Sequence, residues 1–166
     1  MLLDEIFRAI RNVDCGHAHC ALPALKQYVE WGGDLNALHP ESGWGILHSA
    51  AEHHNHSIIE AMAEYGADLN IRSAERCPAI FQALDVDIDG AIQTSRLQTF
   101  ETTILFLKLG ADGDLEDQDG KSLSQFASEY GPEILNRFES LVGPLLKQQD
   151  PAHNNALHRS GGQSPI

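Results

Sequence analysis

Basic residues are scarce in this chain. Its 166 residues carry 11 Lys and Arg against 24 Asp and Glu, a formal net charge of −13. A chain of that balance repels polyphosphate and anionic lipid, which argues against nucleic-acid or membrane partners and points to a basic protein as the complement. Cysteine is scarce too: Cys15, Cys20 and Cys77 are odd in number and too few for a disulfide scaffold. A reducing, cytoplasmic setting is therefore expected. No apolar run reaches membrane-spanning length, and the opening "MLLDEIFRAIRN" has no basic stretch leading into an apolar core, so no leader is expected. Phosphate-cradling glycine loops, nucleophile elbows and HExxH are all missing, and the expectation is a protein without catalysis and without a cofactor.

What the chain does contain is a repeat. "WGGDLNALH" at 31–39 returns as "YGADLNIRS" at 65–73 and as "LGADGDLED" at 109–117. Gly32 and Gly66 are 34 residues apart, and Gly66 and Gly110 are 44 apart. Ahead of each glycine lies a segment with apolar residues at spacings of three and four: "LPALKQYVEW", "SIIEAMAEY" and "TTILFLKL". Such segments are helices, the glycine suits the left-handed residue that ends one, and Asp-Leu-Asn suits a tight turn.

These features resemble the ankyrin repeat, a unit of about 33 residues built from two antiparallel helices and a projecting turn. The stretch 42–70 carries the resemblance best, with Gly43, Leu47, His48, Ala50, Ala51, Ile58, Ile59, Gly66, Ala67, Asp68 and Asn70 in register. Gly45-Ile46 stands where the family has Thr-Pro, and His54 where it has the glycine between the helices. The resemblance implies an all-α solenoid of about four helix-turn-helix repeats in residues 1–143. A cap pair occupies 2–31, a second repeat 40–72, a third 73–111 and the last 117–142, with a flexible tail at 144–166. The third repeat holds an insertion of about ten residues, expected as an acidic loop between its helices at 85–99.

Three constellations invite chemistry. "DVDIDG" places Asp85, Asp87 and Asp89 before Gly90, the start of a calcium loop, but the twelfth position, where a bidentate Glu belongs, is Arg96. "CGHAHC" puts Cys15, His17, His19 and Cys20 on one short run, whereas zinc sites usually draw ligands from two separated segments. "EHHNH" gives His53, His54 and His56 at a helix end, where the dipole alone favours imidazole. A metal-binding protein is thus an alternative reading, and no metal is assigned.

A solenoid presents turn tips and first helices on one extended face, a shape suited to gripping another protein. The resemblance makes His39, Glu41, Trp44, Arg72, Glu75, Arg76, Asp117, Gln118, Asp119 and Lys121 the turn residues expected to meet a partner, with Trp44 as a candidate anchor. Asp85, Asp87 and Asp89 join them by charge, because 85–119 holds nine acidic residues against Arg96 and Lys108. Short acidic ankyrin proteins of this kind resemble bacterial immunity proteins. That implies a monomer that binds and inhibits a basic cognate toxin, with a scaffold or a host-directed effector as the alternative.

Overall fold

The structure, a computed structural model, describes residues 2–11 and 21–149. Helices α1 (Leu2–Arg11), α2 (Ala21–Glu30), α3 (Ile46–Glu52), α4 (His56–Glu64), α5 (Ala79–Gln93), α6 (Glu101–Leu109), α7 (Leu123–Ser128), α8 (Pro132–Leu141) and α9 (Gly143–Gln149) follow in order. Among the described residues there is no sheet, only the isolated bridges Leu38–Gly45 and Arg72–Pro78. No described helix is long and apolar enough to cross a membrane. The cluster Cys15–Cys20 lies outside the described residues, as does 150–166 of the expected tail.

The helices stack in two rows. First-row helices α1, α3, α5 and α7 pack in succession, while α2, α4 and α6 pack in succession behind them. Small residues let the first row approach closely: Ala50, Ala51, Ala79, Ala83 and Ala127 are all fully buried. The second row supplies bulk through Leu25, Ile58, Ile59, Met62 and Phe106, and one continuous core results.

The repeated Asp-Leu-Asn has a definite job. Asp34 Oδ1 accepts from the Asn36 amide, and Asn36 Oδ1 accepts from the Asp68 amide of the next loop, both at 2.9 Å. Asp68 and Asn70 repeat the pattern, passing it on to Asp112 at 2.8 Å, and Asp112 closes onto Asp114. Each motif thus makes its own turn and then holds the next one, so the loops form a hydrogen-bonded ladder along the stack.

Two expectations need correction. The stretch "DVDIDG" is helical: α5 has 15 residues, against seven in α3 and six in α7. Ile80, Phe81, Leu84 and Ile88 bury one stripe of it and hold the Asp residues in helical conformation despite their weak propensity. Residues 144–149, assigned to the tail, belong to α9, which packs against α6 and α8. Gln149 anchors it, accepting from the Gly113 amide (2.9 Å) and donating to the Ala111 carbonyl (3.0 Å).

Candidate protein-binding face

The turns ahead of α3, α5 and α7 project as three fingers, and one buried side chain closes each from within. In the first, His39 Nδ1 accepts from the amides of Glu41 and Ser42 at 3.3 and 3.4 Å. Its proton is then on Nε2, which donates to Asp4 Oδ1 of α1 at 2.7 Å. In the second, Ser73 Oγ accepts from the Cys77 amide at 3.3 Å. In the third, Asp117 Oδ1 accepts from the amides of Asp119 and Lys121 at 2.8 and 2.9 Å. His39, Ser73 and Asp117 are 7%, 8% and 6% exposed. Of the residues expected to meet a partner, His39 and Asp117 therefore face inward as turn braces.

The fingers also bond to each other. The Ala74 amide donates to the Gly43 carbonyl at 2.8 Å, and Arg72 Nη1 bridges the carbonyls of Arg76 and Glu116 at 2.7 and 3.0 Å. Gly43 has φ +68°, and a Cβ there would stand 2.7 Å from the Ala74 methyl, so no other residue fits. The outward tips carry Glu41, Glu75, Arg76, Glu116, Gln118 and Asp119, all exposed.

Trp44 is not an exposed anchor. It is half-buried against the core, its ring centroid 6.3 Å from that of His48. His48 beneath it is wholly internal: Nδ1 accepts from the Gly45 amide at 3.2 Å and Nε2 donates to the Cys77 carbonyl at 2.9 Å. This ties the start of α3 to the next finger and substitutes for the missing Thr-Pro. Burial lowers the His48 pKa, with the Cys77 carbonyl opposing, consistent with a neutral ring. The exposed tryptophan is Trp31, at 61%. Its sequence signal was its place just before Gly32, matched by Tyr65 before Gly66.

Asp87 points away from Asp85 and Asp89, because residues two apart on a helix lie about 200° apart around its axis while residues four apart share a face. Asp85 is half-buried and accepts from the Tyr130 hydroxyl at 2.5 Å. Burial first, and that carboxylate second, push the Tyr130 pKa up. Asp89 is exposed. Asp87 is 7% exposed and serves the start of α6, accepting from the Thr102 amide (3.3 Å), the Thr103 amide (2.8 Å) and the Thr103 hydroxyl (2.8 Å). Phe100 precedes that helix in the left-handed region (φ 54°) with no capping side chain, so Asp87 provides the cap from a neighbouring helix. Among the described residues no three Asp, Glu, His or Cys side chains are grouped to hold a metal ion, and the calcium-loop reading does not survive the helix.

Beside Asp87 lie His54 and His56, whose ring nitrogens reach the Thr102 hydroxyl at 2.9 and 3.1 Å. An Asp, a His and a hydroxyl suggest a nucleophilic relay, but the geometry forbids it. Asp87 Oδ1, at 3.7 Å, and the Thr102 hydroxyl both approach the same nitrogen, Nδ1 of His54, whereas a relay needs opposite ring nitrogens. Thr102 is also fully buried. The cluster fastens the turn between α3 and α4 to the start of α6.

Residues 42–71 match the model of the family described as Ankyrin repeat. No curated protein matches the chain. An ankyrin repeat is thus present at 42–71, spanning α3, α4 and the Asp68–Asn70 turn. Within an all-helical stack it marks a protein-interaction module.

Proposed function

We propose that this chain is a non-catalytic binding module that grips a basic protein through its fingers and first-row helices, and that the partner is a toxin domain which it neutralises. The observation that carries the reading is the sign of the exposed finger face. Glu41, Glu75, Glu116 and Asp119 line the tips, with Glu52 and Asp89 exposed on the helices behind them, against Arg76, Lys121 and Arg72. Lys121 is already engaged by Glu129 at 2.5 Å, and Arg72 by backbone carbonyls. In this reading the contact set keeps Glu41, Glu75, Arg76, Asp85, Asp89 and Asp119 and adds Glu116. His39, Asp87 and Asp117 act from beneath by holding the tips and helices in place. A preformed ridge of carboxylates speeds encounter with a cationic surface and selects against acidic competitors.

The test is affinity capture from the source cells with the wild-type chain and with Glu75→Lys/Glu116→Lys/Asp119→Lys, followed by mass spectrometry. A basic protein retained by the wild type and lost by the triple variant, and released by raising salt to about 0.5 M, where screening shortens to a few ångströms, supports the reading. A partner that is acidic, or that the triple variant retains, overturns it.

A further inference from the structure

The far ends of α2, α4 and α6 carry a second surface that the finger face does not use. Each helix ends the same way. The Gly32, Gly66 and Gly110 amides donate to the carbonyls of Val29, Ala63 and Leu107, and the following amides to those of Tyr28, Met62 and Phe106, at 2.9–3.2 Å. The residue just before each glycine is therefore held at an equivalent place in three successive repeats. Those residues are Trp31, Tyr65 and Leu109. Trp31 and Tyr65 are 61% and 44% exposed, whereas Leu109 is half-buried. An exposed tryptophan and tyrosine in register on neighbouring units, on backbone fixed by paired hydrogen bonds, differ from apolar residues scattered singly over a surface.

The loops beside them add charge in the same register. Asp34, Asp68 and Asp112 are exposed, and each uses one carboxylate oxygen to accept from its own turn, at 2.9 Å. The other oxygen of each remains available to solvent or a ligand. Asp114 takes the place of Asn36 and Asn70 in the third loop and adds a further carboxylate. Two cations lie nearby, Lys26, whose ammonium is 4.0 Å from Glu30, and Lys108. The ladder from Asn36 to Asp68 and from Asn70 to Asp112 keeps the loops side by side, so rings and carboxylates form two parallel rows.

We propose that this edge docks an extended, arginine-rich segment of the partner. This rests on the reading of a basic partner and assigns one of its elements to a surface. A guanidinium satisfies both rows at once, its face stacking on Trp31 or Tyr65 and its N–H groups reaching the free oxygens of Asp34 and Asp68. The spacing selects the segment's form. Packed helices lie about 8–10 Å apart, and three residues of polyproline-type chain rise about 9 Å, so arginines at every third position meet successive repeats.

The probe is a peptide of four Arg-Pro-Pro triplets, with a control of equal composition whose arginines are contiguous. Binding is followed by calorimetry, and by tryptophan emission in a Trp44→Phe background where Trp31 alone reports. We expect the triplet peptide to bind more tightly than the control and to shift Trp31 emission. Trp31→Ala/Tyr65→Ala should weaken it about tenfold, since each cation–π contact at an exposed site is worth about a two- to fivefold change. Asp68→Asn/Asp112→Asn, which keeps the acceptor of each turn and removes the charge, should flatten the salt dependence. Unchanged circular dichroism and melting temperature confirm that the variants are folded. Binding that ignores the loss of Trp31 and Tyr65, or equal binding of the two peptides, overturns the edge and leaves the basic-partner reading to its own charge-reversal test. No binding of either peptide overturns the edge as well. Loss of the captured partner on finger reversal, with capture unaffected by the edge variants, overturns the edge while the basic-partner reading stands.

Discussion

The repeat at 42–71 and the one that follows it solve the same problem by different means. In the first, α3 and α4 are joined by a short turn, and local groups finish the helix ends: Gly45 with His48 at one, Asn55 capping Ile58 at the other. In the second, α5 runs two turns further and the chain reaches α6 through two residues with positive φ, Ser95 and Phe100, where the short turn has one, His54. No local side chain caps α6, and the buried carboxylate of Asp87 does so from 15 residues upstream. Phe100 offsets its unfavourable backbone by burying its ring against Phe138, at 5.6 Å and 88°. The regular repeat caps its second helix with the residue just before it, whereas the lengthened one takes that cap from a buried side chain of its first helix.

That contrast can be broken most severely at Asp87. Asp87→Ala should leave the first amides of α6 uncapped and cost about 3 kcal/mol, the loss of charged hydrogen bonds at a buried site. For a chain of this length the melting temperature should fall by about 6–12 °C. Hydrogen exchange should show opening concentrated in α6, while Asp89→Ala, on the opposite and exposed face of α5, should change stability by less than about 0.5 kcal/mol. A melting curve in which the two substitutions behave alike would erase the distinction between the repeats. In the regular repeat the largest effect should come from Gly43→Ala. Left-handed backbone and the collision with Ala74 together should cost about 1–3 kcal/mol, measured by urea unfolding.

The smallest effect is in pH. Because burial lowers the His48 pKa, the folded chain resists a proton that the unfolded chain accepts below about 6.5. The contribution of His48 is fully present above that pH and declines as pH falls through the unfolded value toward the folded one. His48→Gln should reduce the slope of stability against pH just below the ordinary histidine value of about 6.5. An unchanged slope would mean that His48 is not the group responsible.

Much of this was open to reading in the sequence because it is local. The recurring glycine and Asp-Leu-Asn mark helix ends and turns that the backbone dictates within a few residues, and the 42–70 pattern sits where the ankyrin repeat lies. The acidic stretch was misread for a physical reason. Asp and Gly have weak helix propensity, so "DVDIDG" looks like a loop until Ile80, Leu84 and Ile88 are seen to share a stripe that tertiary burial enforces. His39, Asp117 and Trp44 were assigned outward because turn tips face a partner, but a tip must also satisfy its own amides, and the first two do that work. Trp31 carries a signal only by comparison, since its place before Gly32 gains meaning from Tyr65 before Gly66, and its exposure is a property of the packed stack.

Gln149 has a consequence for how the stack ends. The third loop has Asp114 where the earlier loops have Asn36 and Asn70, and its backbone is held by a side chain from α9, which donates to the Ala111 carbonyl and accepts from the Gly113 amide. The last loop is therefore fastened by a side chain 36 residues beyond Gly113, so trimming α9 would loosen the far end of the array while leaving the first two loops their own bonds.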